Sequence, residues 1–267
     1  MIARYSGCSR RDGRAQGVQS NGKKNKNQLG ENGYRLPPGV VAGIRTDPQA
    51  IDGSREETAR MTQDAIFLLF DLVGTFAFAM AGAFKAIRKN LDLLGILVLG
   101  FATAMGGGVI RDALLHRTPV SFTTNLYALF ALLGCISAVA WHYAAKGRRF
   151  LDEDRAFLLL DALGLAVFAV IGASAGAAAG LKPWSVVALA ALTGAGGGAV
   201  RDLLVLEIPM MLHADFYATA ALLGGFSFVL LTAVGLPPSV VSAIAFLTTF
   251  LSRTAAIFLG WSLPKPR

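Results

Sequence analysis

The fold is decided by a ten-residue stretch that occurs twice in the chain. The first copy is Thr103-Ala-Met-Gly-Gly-Gly-Val-Ile-Arg-Asp112, and the second is Thr193-Gly-Ala-Gly-Gly-Gly-Ala-Val-Arg-Asp202. A shift of 90 residues places 67–137 on 157–227 without a gap, with 26 identities in 71 positions. Random matching in so apolar a composition would give about 7 identities, at about 10% per position. The chain therefore contains an internal repeat.

The composition places this repeat in a membrane. The 267-residue chain is 54% hydrophobic and 16% charged, with a mean hydropathy of +0.53, whereas soluble proteins are about 25% charged. From residue 65 onward, apolar stretches of about 20 residues alternate with short polar breaks, and about 20 helical residues cross a hydrocarbon core of about 30 Å. The predicted spans are 65–84, 93–114, 122–144, 157–177, 184–206, 214–233 and 239–260.

Each repeat contains three of these spans. Because three is odd, the second copy must enter the membrane from the opposite face, which is the arrangement of inverted-repeat transporters and some channels. We therefore predict an all-α polytopic membrane protein with seven transmembrane helices, built as a 3+3 inverted repeat plus one. Repeat 1 covers 65–144, repeat 2 covers 157–233, and the seventh helix, 239–260, lies outside the repeat.

The first 60 residues differ from the rest of the chain. Residues 1–60 hold 11 Lys and Arg against 6 Asp and Glu, and we predict a polar, basic, disordered tail. The alternative is a basic segment that contacts anionic membrane lipid. Met61 begins the membrane-like segment. A second hypothesis is therefore that translation starts at Met61 and that residues 1–60 lie upstream of the true start. With the basic excess in this tail, we expect no nucleic-acid partner.

The loop charges predict an orientation. Nine Lys and Arg flank the spans on one side and five on the other. The positive-inside rule therefore predicts a cytoplasmic C-terminus and an N-terminus outside.

The repeated glycines are candidates for the lining of a path. Three helical glycines in a row cost about 1 kcal/mol each relative to alanine, and they leave the backbone free to kink or unwind. Irregular backbone is tolerated at membrane depth only against protein or a wet cavity; close helix packing is the alternative explanation. The predicted pore or substrate path comprises Gly106, Gly107, Gly108, Arg111, Asp112, Gly196, Gly197, Gly198, Arg201, Asp202, Thr103 and Thr193.

The Arg-Asp pairs are candidates for function because charges within a membrane are expensive. Adjacent helical residues do not face one another, so we expect Arg111 and Asp112 to pair with the opposite repeat. Snorkelling of Arg111 to the interface, or a structural ion pair, is the alternative.

A second group is predicted at a gate or pore mouth. Its members are Asp71, Asp161, Phe78, Phe168, Tyr127, Tyr217 and Arg253. Its carboxylates either attract cations or stabilise helix N-termini, and its tyrosines either form a hydrogen-bond gate or anchor the interface. Arg253 needs a partner from elsewhere in the chain, and Asp112, Asp202 or a backbone carbonyl are candidates.

The sequence predicts no enzyme, cofactor or metal centre. Cys8 and Cys135, with three scattered histidines, form no metal-binding pattern. The triple glycines are not a nucleotide loop, because they lie inside apolar helices and no P-loop lysine follows them.

The repeated motifs resemble those of a known family. Each unit begins with the motif Asp-x-x-Gly-x-x-x-Phe-Ala-x-x-Gly, which starts at Asp71 and at Asp161. A second motif follows it, Thr-Ala-x-Gly-Gly-Gly-x-x-Arg-Asp. In the second unit, Gly194 takes the place of Ala104. These motifs are similar to those of the prokaryotic trimeric intracellular cation (TRIC) channels, whose repeat is also known as a glycine-transporter-type domain. The resemblance covers about residues 65–260 and leaves the tail uncovered.

The resemblance implies a seven-helix subunit with its own pore, assembled as a homotrimer in the cell (inner) membrane. Kinked triple-glycine segments would line the pore, and potassium or sodium ions would pass. The alternative is a secondary transporter of glycine or another small amino acid, which uses alternating access and holds the substrate carboxylate at a helix N-terminus. The sequence does not distinguish a channel from a transporter.

Overall fold

The computed structural model describes residues 48–144, 153–213 and 216–260. Contacts divide the chain after Ser54, and the fold below is that of the second unit, 55–267. The helices are α1 Pro48–Arg88, α2 Leu93–Leu114, α3 Asn125–Ala144, α4 Glu153–Ala178, α5 Pro183–Leu204, α6 Met210–His213, α7 Tyr217–Ala233 and α8 Pro238–Leu259, with a 3-10 helix at Val120–Phe122.

Seven of the described helices can cross a membrane. Six are long and apolar: the Ala65–Arg88 part of α1, α2, α3, the Asp154–Ala178 part of α4, α5 and α8. The apolar helix α7 has 17 residues, a length of about 25 Å that lies at the lower limit for a span. The predicted all-α, seven-span fold class is confirmed.

The start of α1 corrects the prediction for the tail. The helix begins at Pro48, so 48–60 are helical rather than disordered. The stretch 54–60, Ser-Arg-Glu-Glu-Thr-Ala-Arg, is polar but rich in good helix formers, which explains why polarity alone misled the prediction. The rest of the predicted tail, 1–47, lies outside the described residues.

A short separate helix precedes both α3 and α7, and the predicted span 122–144 begins too early because it includes the end of the first of them. Pro119 and Pro209 each start a short separate helix, Val120–Phe122 and α6, ahead of α3 and α7. Because proline favours the first turn of a helix and ends the preceding one, these elements are distinct from the spans that follow. The two short helices occupy equivalent positions, 90 residues apart, in the two repeats.

Contacts along α1 show that the repeats are inverted. Near the start of the span, Asp71 lines the same cavity as Arg111 at the end of α2. Fourteen residues later, about 21 Å along a helix, Lys85 lies 3.8 Å from Asp202 at the end of α5. Equivalent ends of α2 and α5 therefore lie at opposite ends of the bundle. We call them the first end, with Arg111, and the second end, with Asp202.

The helices α2 and α5 touch through their backbones at the centre of the molecule. A Cβ at Gly107 would overlap the carbonyl oxygen of Thr193, and a Cβ at Gly197 would overlap that of Thr103. Only glycine permits so close an approach. Beside this crossing, Phe78 of α1 stacks on Phe168 of α4, with ring centroids 5.3 Å apart and planes at 21°. The core thus joins the two repeats symmetrically.

The glycine crossing predicts a position-specific cost of added volume. Gly107→Ala should lower the free energy of unfolding by roughly 1–3 kcal/mol, the usual cost of overpacking, despite the better helix propensity of alanine. The matched control is Gly108→Ala, where the nearest neighbour of a new Cβ is the Arg111 guanidinium at 3.8 Å. This variant should be neutral, or stabilised by up to about 1 kcal/mol. Thermal unfolding midpoints of the purified proteins in detergent test the difference; equal midpoints would contradict the packing argument.

Candidate functional site

The repeated charges form two buried clusters at opposite ends of the α2–α5 crossing. The first half-site consists of Asp71, Arg111, Asp112, Arg117 and Tyr127, and the second half-site of Asp161, Arg201, Asp202, Tyr217 and Arg253. All of these side chains except those of Asp71 and Arg117 are at most 4% exposed. Both clusters therefore lie inside a single subunit rather than on a lipid-facing surface.

In the first half-site, Asp112 is saturated with donors. Arg111 donates from Nε to Oδ1 at 2.8 Å and from Nη2 to Oδ2 at 2.9 Å, a two-point arrangement that is strong and directional. Arg117 Nε donates at 2.8 Å, and the Val120 backbone N–H at 2.9 Å. Separately, the Tyr127 hydroxyl donates to Asp71 Oδ2 at 2.7 Å.

In the second half-site, the equivalent residues are connected differently. Arg201 donates from Nε to Asp202 Oδ1 at 2.9 Å and from Nη1 to Asp161 Oδ1 at 2.5 Å. The Met210 N–H donates to Asp202 Oδ2 at 2.9 Å, as Val120 does to Asp112. The Tyr217 hydroxyl interacts with Asp161, but without ideal hydrogen-bond geometry. Arginine therefore donates the well-aligned hydrogen bond to the α4 carboxylate.

The expected pairing of Arg111 and Asp112 with the opposite repeat is wrong. Each arginine binds the aspartate that follows it in its own repeat. Both residues lie in the last turn of their helix, and the long arginine side chain curls around to reach the neighbouring carboxylate. The rule that adjacent residues do not face each other applies to positions along the helix face and not to a guanidinium at the end of a flexible stem.

The triple glycines do not unwind. The helices α2 and α5 continue through Gly106–Gly108 and Gly196–Gly198 without a break. Close packing accounts for the central glycine of each triplet, as the crossing shows. The first glycine of each triplet packs against a side chain of the other helix: a Cβ at Gly106 would lie 3.3 Å from Val200, and one at Gly196 would lie 3.0 Å from Ile110.

The two threonines of the motif bind to their own helices. The hydroxyls of Thr103 and Thr193 donate to the carbonyls of Leu99 and Leu189, each at 2.6 Å. Both threonines are fully buried and lie against glycines of the preceding helices. Their position favours packing over ion coordination in this conformation.

A narrow cavity adjoins the first half-site. Its volume is about 10 Å³, room for about one water molecule. The lining residues include Asp71, Thr75, Gly108, Arg111, Tyr127 and Phe168. The cavity thus brings a carboxylate, a tyrosine hydroxyl and a triple glycine from repeat 1 next to the central aromatic ring of repeat 2.

An ion-pair cluster that the sequence motifs did not predict lies at the second end. Lys85 and Lys89, at the end of α1, both pair with Glu207 in the connection after α5. These hydrogen bonds lower the pKa of Glu207 to about 2. The 90-residue shift contains the signal, because Glu207 occupies the position of Arg117 with opposite charge, and Lys85 that of Ala175.

A second inter-repeat contact lies beside this cluster. Arg88 of α1 pairs with Asp154 of α4, and its guanidinium lies 4.3 Å from the centre of the Phe157 ring. The Arg201 guanidinium lies 4.8 Å from the centre of the same ring. Repeat 1 thus extends three cationic side chains over the charged end of repeat 2.

These observations define a multi-pass membrane protein in which two inverted repeats bury a charged half-site at each end. The repeats match the family described as "Glycine transporter" at residues 68–143 and 158–233. Together with the solved structures that the chain resembles, this match shows that the chain belongs to the prokaryotic TRIC family, a family of membrane channels or transporters rather than enzymes.

Three relatives illustrate the similarity. The inner membrane protein YadS of Escherichia coli is 37% identical over 199 residues, covering 73% of this chain and 93% of YadS. A TRIC trimeric intracellular cation channel orthologue from Rhodobacter sphaeroides is 38% identical, with a TM-score of 0.66, over 73% of this chain and 99% of that one. A third relative is a solved structure that was presented as the structural basis for conductance through TRIC cation channels. It is 36% identical, with a TM-score of 0.68, and the match covers 76% of this chain and 98% of that one.

The Glu207 cluster predicts a stability change in acid. Since the pKa of Glu207 falls from 4.5 to about 2 on folding, its stabilising contribution is complete above about pH 4.5 and is lost as the pH falls towards 2. The thermal midpoint of the purified protein should therefore drop over this range. Glu207→Gln should start lower and show a smaller drop, as measured by intrinsic fluorescence in detergent. Parallel acid profiles for both proteins would refute the role of Glu207.

Proposed function

We propose that the chain is a channel that conducts monovalent cations, potassium or sodium, along a path inside each subunit. The path would run beside the α2–α5 crossing, from the first half-site past Phe78 and Phe168 to the second half-site. The observation that carries this proposal is the burial of two charged clusters at opposite ends of one crossing, within membrane-spanning helices. Buried charges at membrane depth mark ion or substrate pathways more often than structural sites.

The carboxylates of Asp71 and Asp161 are the groups that would attract a cation. Arg111 is neutralised by Asp112 in the fork described above, which leaves Asp71 facing the cavity with a single neutral donor, Tyr127. Carboxylates at a pore mouth raise the local concentration of cations. The names of the two solved relatives, both cation channels, support the same charge preference.

The conformation described here would be a closed one. The cavity beside Asp71 admits about one water molecule, so conduction requires it to widen. The Tyr127 hydroxyl bridges α3 to α1 across this cavity and would act as a hydrogen-bond gate, which opens when Asp71 is released. Gly108 lines this cavity, and the absence of a side chain there leaves room for movement.

We further propose a homotrimer in the inner membrane, with the N-terminus outside and the C-terminus cytoplasmic. The name of the Rhodobacter sphaeroides relative describes a trimer, and YadS is an inner membrane protein. The orientation is based on the nine Lys and Arg on one side of the spans against five on the other.

The second candidate is a transporter of glycine or another small amino acid. The inverted repeat favours it, because two symmetric halves can alternate in access, and the family description names glycine. A channel needs a continuous wet path, whereas a transporter needs an occluded site that opens to one face at a time. Ion flux and saturable amino-acid uptake therefore distinguish the two.

Planar-bilayer recording of the purified protein in asymmetric potassium chloride tests the channel. We expect discrete current steps that reverse near the potassium potential. No unitary current, combined with saturable glycine uptake into liposomes of the same preparation, would replace the channel with the transporter.

The two arginines should be needed for flux to different degrees. Arg201→Ala leaves Asp161 and Asp202 without their shared guanidinium, whereas Arg111→Ala leaves Asp112 with Arg117. Loss of one partner of a buried ion pair costs about 3–5 kcal/mol, so we expect both variants to impair potassium flux while trimers persist, and Arg201→Ala to unfold at a lower temperature. Flux assays with size-exclusion profiles test this; unchanged flux in both variants would exclude the arginines from the path.

The tyrosines offer a matched pair for the gate. Tyr127→Phe removes the hydrogen bond to Asp71 and should raise the equilibrium constant for opening about tenfold or more, because a hydrogen bond to a charged group contributes about 1.5–3 kcal/mol. Tyr217→Phe removes a hydroxyl that interacts with Asp161 only outside ideal hydrogen-bond geometry, and should change the open probability less. Single-channel recordings compare them. Equal effects of the two substitutions would argue against a gate at Tyr127.

A further inference from the structure

We propose that a groove between α1 and α8 binds one acyl chain of a membrane phospholipid. The groove lies outside both half-sites, so its occupant does not depend on whether the protein is a channel or a transporter. Three features of the groove support a lipid chain: its apolar lining, its depth in the membrane, and its difference from the equivalent position in repeat 2.

The groove is a cavity at the place where α1 and α8 separate. Its volume is about 190 Å³, room for about six groups of the size of a water molecule, at about 30 Å³ each. One helical turn further along α8 from Ser242, the rings of Phe70 and Phe246 meet edge to face, with centroids 5.1 Å apart, and this contact closes the inner end. The lining is largely apolar and includes Ile66, Phe67 and Phe70 of α1 and Ser239, Ser242 and Ala243 of α8.

Both walls of the groove belong to the first turns of membrane-spanning segments. The span of α1 begins at Ala65 and that of α8 at Pro238, so the groove opens at the level where the hydrocarbon core of a bilayer begins. The outer wall faces away from the protein, with Ile66 59% exposed. At this depth the groove meets lipid rather than water.

The internal repeat shows that the equivalent ring in repeat 2 is covered by protein. Phe157, which lies 90 residues after Phe67, is 4% exposed, and the guanidinium groups of Arg88 and Arg201 lie over its ring. After the same shift, Arg88 corresponds to Ala178, whose side chain is too short to cover Phe67 in this way. Repeat 1 therefore leaves open a space that repeat 2 fills with a side chain of α1.

An acyl chain matches this space better than a second copy of the protein does. Lipid tails are as apolar as the lining, so the chain gains no hydrophobic free energy on leaving the bilayer. The gain is in dispersion, because the atoms around a void lack contacts and a chain in the groove has protein on two sides. A neighbouring helix, about 10 Å in diameter, is too wide to enter.

The two serines supply the polar part of the site. Ser239 lies in the first turn of α8 and is exposed, and Ser242 lies one turn deeper. Their hydroxyls can donate hydrogen bonds to the ester groups of a phospholipid, which lie at the boundary between the hydrocarbon core and the headgroups. The serines thus fix the outer end of a chain whose inner end reaches Phe70.

A chain in the groove also contacts the turn of α1 that carries the first half-site. Phe70 lines the groove, and the next residue, Asp71, accepts the hydrogen bond from Tyr127. The chain supports this turn from the lipid side. The position of the Asp71 carboxylate therefore depends in part on the lipid.

The test counts phospholipid on the full chain after purification in a mild detergent, by native mass spectrometry and phosphorus content. Wild type should retain one phospholipid per subunit through repeated detergent washes. Ala243→Phe places a ring in the groove and should lower retention about tenfold or more, because ring and chain cannot share the space. The matched control is Leu247→Phe, one turn along α8, which is 48% exposed and lies outside the lining. It should retain lipid as wild type does.

Ser239→Trp, at the mouth of the groove, repeats the block if Ala243→Phe does not yield folded protein. Absence of retained phospholipid on wild type, or equal retention on wild type and a folded blocking variant, would overturn the proposal. Loss of the oligomer in Ala243→Phe with unchanged phospholipid per subunit, seen by size exclusion, would identify the groove as a contact between copies and would overturn it as well. Planar-bilayer recording tests the ion flux separately, so failure of the lipid site leaves the proposed channel untouched.

Discussion

The rest of the structure depends on the approach of α2 to α5 at Gly107 and Gly197. Each glycine leaves the space that the carbonyl of Thr193 or Thr103 occupies, so the same contact is made twice across a pseudo-two-fold axis. This contact fixes one repeat against the other. It also places the Arg-Asp pairs, which follow four residues later on each helix, about 6 Å to either side of the crossing.

Each aspartate of these pairs needs several hydrogen-bond donors, and different residues supply them in the two repeats. Asp112 takes a second guanidinium from Arg117 of its own repeat. The equivalent position in repeat 2 is Glu207, which cannot donate, and Lys85 of repeat 1 approaches Asp202 instead while also pairing with Glu207. Repeat 2 therefore depends on repeat 1 for its charge balance, whereas the described contacts of Asp112 all come from repeat 1. Because an unpaired buried charge is costly, these contacts hold the two repeats together more strongly at the second end than at the first.

The sequence pattern predicted the fold but not the hydrogen bonds within the site. Spans, repeat and inversion depend on composition, on the shift of 90 residues and on an odd helix count, all of which are local or countable. The donors of Asp112 depend on where the segment after Pro119 folds back, which a helical pattern does not contain. Likewise, the triple glycines favour unwinding by propensity, but packing at Gly107 keeps the helix intact. Tertiary contact overrides propensity in both cases.

The same geometry explains why the two copies of the motif share their threonine, glycines and Arg-Asp pair while their surroundings diverge. Residues at the crossing contact their own equivalents, so a change in one copy disturbs both. Residues away from the axis contact different neighbours and can change in compensating pairs: Gly100 faces Cys135 in repeat 1, whereas Ala190 faces Gly225 in repeat 2, which moves volume from one helix to its partner. The ends of the path lie furthest from the axis and face opposite sides of the membrane. They are therefore the places where repeats with a shared centre can acquire different charges, as Glu207 and Arg117 have.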